Sequence, residues 1–457
     1  MAGIGFELRK ALRQDRLLSI AKVYGYSALL SSGPWVISII AIIVVGFINV
    51  ATIGGKSSVV QYQIIITYAI ALASSMIITG FVQLPFTRYI ADLIFSKRED
   101  EVLPSYYGVL LMTWLLGFLF IFPLTLLLFP DQSTFFIINV ISTFLALSGV
   151  WVSNILAASL KYYHSVLVAY GVSYGLIIVL SMFFGKNLEI LITIFFAGNA
   201  LLLVILMTLI TKSYRASRLI SFAFFDRNRF YWSLGFAGLF YNLGVWVDKF
   251  IFWYHPLTGY NVIGGLNASV VYDMPIFIAY LSILPGMSVF FFRLEADFAE
   301  KYELFYDAVR SGGTLEVIQR YRDDMIDIIR HSIREILLLQ GIINALLFLS
   351  APLLFDYLHI PQLYLSLFYI LTVGAQLQLG FMSVMALLYY LDRRALSMKL
   401  SISFFTLNGI LTFISIYMGP VMFGYGYAVS LLVVFTISLL VIRREMKELT
   451  YETFMLR

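Results

Sequence analysis

The chain has 457 residues, of which 61% are hydrophobic and only 12% are charged, and its formal net charge is +5. No soluble core needs so much apolar sequence in unbroken runs, so the composition excludes a soluble globular protein and indicates a polytopic membrane protein. Because the chain has no cysteine and its four histidines are dispersed, disulfides, thiolate chemistry and a histidine metal cluster are excluded as well. We therefore expect neither a metal nor a cofactor.

A basic, amphipathic segment opens the chain at residues 1–22. Ile4, Leu8 and Leu12 can share one helical face while the basic side chains lie elsewhere, which predicts a helix along the inner membrane surface. The next run, 23–50, is too long for the core of a signal peptide, and no small-residue cleavage site follows it. We expect nothing to be removed from this end.

Twelve apolar runs follow one another along the chain, each long enough to cross a hydrocarbon layer ~30 Å thick at ~1.5 Å per residue. They lie at about residues 23–50, 61–87, 106–129, 134–160, 165–184, 188–211, 230–253, 268–292, 336–355, 363–391, 396–418 and 421–442. A basic connector, residues 212–229, separates six runs from six, which is typical of two-lobed transporters. The sequence therefore predicts an all-α polytopic membrane protein with twelve transmembrane helices in two six-helix lobes, 23–211 and 230–442, around a central cavity, followed by a tail at 443–457.

Basic residues fall almost entirely on one side of this arrangement. With the N-terminus in the cytoplasm, only Lys56, Lys186 and Lys249 lie outside, and the other 28 of the 31 Lys and Arg lie inside. Since cytoplasmic segments carry an excess of Lys and Arg, both termini and the connector are predicted to be cytoplasmic. Membrane topology thus accounts for the net charge, and no nucleic-acid partner is needed.

The largest cytoplasmic segment, residues 293–335, predicts an elbow of two amphipathic helices. Phe298, Tyr302 and Phe305 recur at helical spacing, Ser311 and two glycines interrupt the pattern, and Thr314 can cap a second helix. The segment is too short for a glycosyltransferase domain. Its apolar stripe indicates either a dock for a cytosolic partner or packing of the elbow against the membrane face or the helix bundle, and both alternatives stay open.

Polar residues and a proline interrupt the first run, and small residues mark the seventh. Ser31, Ser32 and Pro34 interrupt the first run, which predicts a kink that either lines a cavity or is satisfied by the serines in packing. In the seventh run, Gly235 and Gly238 permit a close helix approach.

Ionisable residues in the seventh and eighth runs are the candidates for a substrate path. Asn242 and Lys249 share one face of the seventh helix, Asp248 is adjacent, and Asp273 lies in the eighth, so Asp248, Lys249 and Asp273 could form one charged cluster. The alternative is that Lys249 extends to water and pairs with Asp248. Tyr280 is a further candidate, since sugar rings stack on aromatic faces.

Three stretches resemble a known family. Residues 1–10 (MAGIGFELRK), 31–35 (SSGPW) and 291–300 (FFRLEADFAE) look like those of the PelG family of Pel exopolysaccharide transporters, which is placed in the multidrug/oligosaccharidyl-lipid/polysaccharide exporter (MOP) superfamily. The length of the chain and its twelve runs fit that family throughout.

This resemblance implies a function and partners. It implies export of an N-acetylhexosamine-rich polysaccharide through the bacterial inner membrane, with the polymer supplied by the cytosolic glycosyltransferase PelF and the transporter assembled with the membrane subunits PelD and PelE. It supplies no catalytic motif to carry over, so the site candidates rest on the residues themselves.

Hypotheses from three classes follow. Polysaccharide export is favoured. A cation-coupled small-molecule (multidrug) antiporter of the same fold is the alternative, because Asp248 and Asp273 could bind a proton or a sodium ion. A membrane glycosyltransferase or polymerase is third, since it would need a carboxylate-rich catalytic loop and residues 293–335 have amphipathic spacing instead. We therefore do not expect an enzyme.

Overall fold

The structure, a computed structural model, describes residues 36–49, 56–68, 75–159, 163–226, 229–357 and 360–455. The helices before the connector are α1 Val36–Ile48, α2 Lys56–Thr67, α3 Ser75–Phe95, α4 Val102–Leu128, α5 Thr134–Ser159, α6 Tyr163–Phe184 and α7 Leu188–Ser213. After it come α8 Trp232–Tyr254, strands β1 Tyr260–Ile263 and β2 Leu266–Ala268, and then α9 Val270–Ser282, α10 Leu284–Phe292, α11 Ala299–Arg310, α12 Leu315–Tyr357, α13 Leu365–Tyr390, α14 Arg394–Tyr417 and α15 Tyr425–Met455.

The polytopic prediction is confirmed for much of the chain. Within the described ranges, nine helices are long and apolar enough to cross a membrane, and they coincide with nine of the predicted runs. The predicted segment 1–22 and the kink at Ser31, Ser32 and Pro34 lie outside the described residues.

Two helices are much longer than the runs predicted within them. α12 has 43 residues and α15 has 31, which correspond to lengths of ~65 Å and ~46 Å at ~1.5 Å per residue. Since the hydrocarbon layer is only ~30 Å thick, both helices extend well beyond it. The second elbow helix and the ninth run are therefore one continuous helix, and the tail after residue 442 is helical to Met455.

Contacts group the described chain into two compact units, one within Pro34–Ser269 and one within Val270–Arg457. α8 packs against α3 and so belongs to the first unit. Hydropathy locates a helix along the chain but carries no information about which helix it packs against, and here small residues on α3 and α8 decide that contact.

The connector is folded onto the first unit. The Ser217 amide donates to the Asp100 carbonyl at 3.2 Å, and the Ser221 amide donates to the Pro104 carbonyl at 2.9 Å. Phe224 is fully buried and its ring lies 5.4 Å from that of Phe86 and 5.2 Å from that of Phe230. Residues 214–225 are thus attached to the start of α4 instead of forming a loose linker.

A small hairpin closes the first unit. β1 and β2 pair antiparallel, and Gly264 takes a positive φ of 56° at the turn, a conformation that glycine adopts without steric cost. The Gly265 amide donates to the carbonyl of Leu128, the last residue of α4, at 2.6 Å. The hairpin is therefore joined to the end of α4.

The second unit contains a broken helix and the elbow. α9 ends at Ser282 and α10 begins at Leu284 with Pro285 in its first turn, so the predicted eighth span is interrupted at Ile283. A π-helical turn, Arg293–Phe298, leads into α11, and Gly312 turns the chain with a φ of 72°. The break at Ile283 was not predicted, whereas the predicted interruption at Ser311 and the two glycines lies between α11 and α12.

Candidate functional site

α3 and α8 make their closest approach at three glycines. A Cβ added to Gly238 would lie 2.1 Å from the Gly80 carbonyl oxygen, and one added to Gly235 would lie 3.0 Å from the Phe81 carbonyl oxygen. The predicted close approach of the seventh helix is confirmed. Asn242 is half-buried beside this contact and donates from Nδ2 to the Gly238 carbonyl at 3.0 Å, so its amide is held by its own helix.

Asp248 and Lys249 form an ion pair inside the first unit, which we call the buried pair. Asp248 is 0% exposed and Lys249 5%. Lys249 Nζ lies 3.3 Å from each carboxylate oxygen, donates to the Val245 carbonyl at 2.7 Å, and lies 5.6 Å from the centre of the Trp246 ring. Of the alternative in which Lys249 pairs with Asp248 and extends to water, the pairing is confirmed, but the Lys249 side chain stays inside the protein.

The direction of the lysine explains that difference. Side chains of a helix tilt toward its N-terminus, and Lys249 accordingly folds back by one turn to Val245. The near end of the helix, at Tyr254, lies in the opposite direction. The ammonium is therefore satisfied within the protein, by a carbonyl, a carboxylate and an aromatic face.

Asp273 and Tyr280 lie in the second unit, both on α9 and both half-buried. Asp273 stands in the first turn, where a carboxylate is stabilised by the helix dipole. The Tyr280 ring lies 6.5 Å from that of Tyr427 in an edge-to-face arrangement at 81°. Because the buried pair belongs to the other unit, the cluster of Asp248, Lys249 and Asp273 stays a prediction.

A network of amides in the second unit, comprising Ser282, Gln340, Asn344 and Gln376, was missed by the sequence analysis. Gln340 is fully buried and donates to the Ser282 carbonyl at 3.1 Å and to Asn344 Oδ1 at 2.9 Å, and Asn344 donates to Gln376 Oε1 at 2.8 Å. Ser282 is the last residue of α9, so this network supplies a donor where the helix breaks. The glutamine and asparagine residues within the predicted spans were the sequence signal that could have indicated this network.

A second polar group, in the first unit, was missed as well. The rings of Tyr170 and Tyr174 stack 6.0 Å apart at 8°, Tyr174 Oη donates to Asn199 Oδ1 at 3.1 Å, and Asn154 Nδ2 donates to Tyr170 Oη at 2.7 Å. All three helices α5, α6 and α7 contribute. Such interhelical hydrogen bonds are worth ~0.6 to 2 kcal/mol each in membranes, so this group also serves packing.

The proposed docking residues need a correction. Phe298 is 1% exposed and Phe305 0%, and Tyr302 is half-buried. The Phe298 ring lies 5.6 Å from that of Tyr390 at the end of α13, and the Tyr302 ring lies 5.8 Å from it. Phe298 therefore packs the elbow against α13, as the competing interpretation expected, Phe305 is buried as well, and neither presents a surface to a partner.

Ion pairs join the two ends of the elbow and its two helices to each other. Arg293 donates from Nε to Glu335 Oε2 at 2.7 Å and from Nη1 to Asp297 at 2.5 Å, and Lys301 contacts Asp324 at 2.8 Å. Burial lowers the pKa of Arg293, but these hydrogen bonds and charges outweigh burial, so the pKa is raised above its usual value. Arg293 stays charged and links α10 to α12.

Among the described residues, no group of three or more His, Asp or Glu side chains could hold a metal ion. The elbow borders a small apolar cleft, lined by residues such as Leu294, Phe298, Ile333 and Leu387. Its lining has few hydrogen-bonding groups to orient a sugar.

Comparison with known proteins identifies one sequence family. The model of the PelG family, described as a putative exopolysaccharide exporter (EPS-E), matches residues 1–454. No curated protein matches the chain significantly.

Solved structures share the fold at low sequence identity. An outward-facing multidrug resistance MATE transporter of the MOP superfamily has a TM-score of 0.63 and 15% identity, covering 93% of this chain and 96% of its own. A MOP-superfamily transporter from Pyrococcus furiosus has a TM-score of 0.65 and 14% identity, with the same coverage of both chains. A MATE transporter in the bent conformation has a TM-score of 0.65 and 13% identity, and the match covers 99% of both chains. The predicted fold class is thereby confirmed as that of the MATE transporters, which have twelve transmembrane helices in two lobes.

Proposed function

Because the chain belongs to the PelG family of putative exopolysaccharide exporters, we propose that it exports a Pel-type, N-acetylhexosamine-rich polysaccharide through the bacterial inner membrane. The protein is a multi-pass membrane transporter and not an enzyme, as its family and its MOP-superfamily fold show. The family match over residues 1–454 carries the proposal of the substrate class.

Transport proceeds, in this proposal, by alternating access or through a gated cavity coupled to polymer synthesis. Support for alternating access comes from the solved MATE transporters, which share this fold and were captured in outward-facing and in inward-facing conformations. A ligand that binds one of two such conformations more tightly shifts the population of the protein toward that conformation.

Asp273 and Tyr280 are the substrate-path residues that we favour. Both are half-buried on α9, seven residues apart, and so lie near the same face of that helix. A carboxylate accepts hydrogen bonds from sugar hydroxyls and acetamido N–H groups, and a tyrosine ring stacks on a sugar face. Neutral N-acetylhexosamine units present both kinds of group.

The buried pair and Asn242 have a different role in this proposal. Each of the three side chains makes a hydrogen bond within α8, which suits them to holding that helix in shape. Ser31, Ser32 and Pro34 remain path candidates from the sequence.

The proposed partners are the cytosolic glycosyltransferase PelF and the membrane subunits PelD and PelE. The elbow supports such an assembly because α12 extends beyond the hydrocarbon layer and its first turns carry exposed apolar side chains, Leu315 at 57% and Val317 at 41%. With Phe298 and Phe305 buried, a cytosolic partner contacts this outer surface of the elbow.

The alternative function is cation-coupled antiport of a small molecule. Asp248 favours it, because a carboxylate that is 0% exposed in the membrane part of a transporter is a candidate for proton or sodium coupling. In that case, export of a substrate would depend on an ion gradient and not on polymer synthesis.

Inverted membrane vesicles test the proposal and separate the two functions. Vesicles from cells that make this protein with its polymer synthase are supplied with radiolabelled UDP-N-acetylhexosamine, and transported polymer is the fraction protected from an added glycoside hydrolase. Asp273→Asn is nearly isosteric and should lower protection by about tenfold through loss of a charge-assisted hydrogen bond, at unchanged protein abundance.

The matched control is Asp323→Asn on the elbow, whose carboxylate is 61% exposed and which should transport normally. Unprotected polymer in vesicles containing the wild-type protein, together with gradient-driven efflux of a cationic dye that Asp248→Asn abolishes at unchanged protein abundance, would contradict export and establish the antiporter.

A further inference from the structure

The connector exposes three large apolar side chains within four residues. Leu219 is 86% exposed, Ile220 45% and Phe222 49%. Phe95, at the end of α3, is 80% exposed. Single exposed apolar residues are ordinary, but a contiguous group indicates a surface that is covered by something apolar.

The position of the connector relative to α4 sets its depth. Its backbone follows the start of α4, with Ser217 bonded to Asp100 and Ser221 bonded to Pro104. It continues inward as far as Gly108, where an added Cβ would lie 2.0 Å from the Ser221 carbonyl oxygen. The connector therefore lies alongside the first two turns of α4.

Those turns belong at the boundary between lipid headgroups and acyl chains. The candidate span Glu99–Leu128 has 30 residues, or ~45 Å at ~1.5 Å per residue, whereas the hydrocarbon layer is ~30 Å thick. Its two ends consequently reach into the headgroup layers. A segment beside its first two turns lies at that level, where water and acyl chains are both within reach.

Basic side chains accompany the apolar ones. Lys212, Arg215 and Arg218 on the connector and Lys97 and Arg98 at the α3–α4 turn are all exposed. Arg98 pairs with Glu101 at 2.5 Å, and Arg218 approaches the same carboxylate only to 3.9 Å. Glu99, Asp100 and Glu101 together offset three of these five positive charges, so two positive charges are left over for an anionic ligand.

We propose that residues 212–222 are an interfacial anchor that binds the headgroup of an anionic phospholipid. The anchor inserts three apolar side chains, Leu219, Ile220 and Phe222, among the acyl chains next to the headgroups. The headgroup phosphate is contacted by Arg215 and Arg218. Apolar insertion combined with basic residues at the headgroup is how amphipathic segments bind anionic membranes. A protein occupant is less suitable, because it would have to displace lipid at this depth.

Site-specific fluorescence tests the insertion, and the chain suits it because it contains no cysteine. The full-length Leu219→Cys and Phe222→Cys variants are labelled with a nitrobenzoxadiazole fluorophore and reconstituted in phosphatidylcholine–phosphatidylglycerol vesicles. Nitroxide-labelled lipid should quench both labels, and aqueous iodide should not. The matched control is Leu315→Cys, which is also exposed but lies 21 residues, about 30 Å, before the predicted span at 336–355, and iodide should quench it.

Lipid retention tests the headgroup. Phosphatidylglycerol that co-purifies with the protein is measured by mass spectrometry for the wild type and for Arg215→Gln/Arg218→Gln. Its enrichment over phosphatidylcholine should fall by about fivefold for each arginine, the change in partitioning that one basic residue at an anionic surface provides. Arg320→Gln/Arg330→Gln, exposed on α12, should leave it unchanged.

Iodide quenching at residue 219 as strong as at residue 315 would overturn the anchor and indicate a surface open to water or to a soluble partner. Lipid quenching with unchanged phosphatidylglycerol enrichment in the double arginine variant would overturn the headgroup assignment. The two cysteine variants and the double arginine variant all alter exposed side chains, so neither result depends on loss of the fold.

Discussion

At the scale of single residues, the buried pair shows how a membrane helix can contain two charges. Transfer of both ions out of water is costly, and the mutual attraction offsets that cost only with good geometry and further hydrogen bonds. Lys249 meets this condition by donating to Val245 while contacting both oxygens of Asp248. Removal of the Asp248 carboxylate leaves the Lys249 ammonium buried without that counterion.

A double-mutant comparison tests this account. We expect Asp248→Asn alone to reduce stability by roughly 3–5 kcal/mol, because the ammonium of Lys249 would stay buried without its counterion. Addition of Lys249→Met should recover most of that loss, since the methionine is apolar and similar in length. Thermal unfolding of the purified protein measures both effects.

The exposed Asp327→Asn, whose carboxylate is 64% accessible, is the control and should be neutral. A single Asp248→Asn variant as stable as the wild type would mean that Lys249 reaches water and that the pair is not desolvated.

At the scale of elements, the contact between α3 and α8 depends on the absence of side chains. Gly80 and Gly238 face each other so closely that a methyl group on either would overlap the other's backbone carbonyl or the amide of Asn242. In membranes, where helix association relies on close packing and not on the hydrophobic effect, small residues at the interface allow such contacts.

Glycine-to-alanine substitutions at two sites separate packing from helix propensity. Gly238→Ala should destabilise by about 1–3 kcal/mol, because the backbone of α3 cannot yield as a flexible side chain can. Gly171→Ala on α6, where an added Cβ meets nothing within 4 Å, should be neutral or stabilising, since alanine favours helix by ~1 kcal/mol over glycine. Thermal unfolding ranks the two. Equal effects would exclude tight packing at Gly238.

The elbow is a second element whose role changes once its packing is known. Phe298 and Phe305 are core residues of the second unit, so we expect Phe298→Ala to cost about 3–5 kcal/mol through loss of burial and creation of a cavity. Leu315→Ala, at a site 57% exposed, should cost less than ~0.5 kcal/mol. Limited proteolysis of the elbow reports its loosening in each variant.

Unchanged protease resistance of Phe298→Ala would show that the ring is not part of the core and would return it to the docking candidates.

At the scale of the whole molecule, hydropathy and charge make separate predictions. The lengths of the apolar runs predict how many times the chain crosses the membrane, and the excess of basic residues on one side predicts which ends are inside. With the twelve predicted runs, the segments predicted to lie outside contain only three of the 31 Lys and Arg.

Topology reporters test the predicted orientation. Fusions after Arg229 and after Arg457 should report the cytoplasm, and one at Gly55 should report the external side, since an even number of crossings separates the first two and an odd number separates either from the third. An external reporter at Arg229 would contradict both the orientation and the count of six crossings before it.

Sequence alone determined the membrane class, the positions of the long helices, the cap at Thr314 and the break after α11, because each follows from residues close together in the chain. Hydrophobic length, helical period and turn chemistry are local properties. The resemblance carried by residues 1–10, 31–35 and 291–300 is likewise a property of contiguous sequence, and it indicated the family that the match over residues 1–454 then established.

Only the tertiary structure decided which polar and aromatic side chains are buried, and by what. Phe298 has the same amphipathic spacing whether it faces Tyr390 or a partner, and Gln340 becomes a donor to Ser282 only because α12 packs beside the break after α9. Likewise, α8 joins the first unit through Gly80, more than 150 residues earlier in the chain. Such contacts depend on the packing of distant segments, which no local pattern contains.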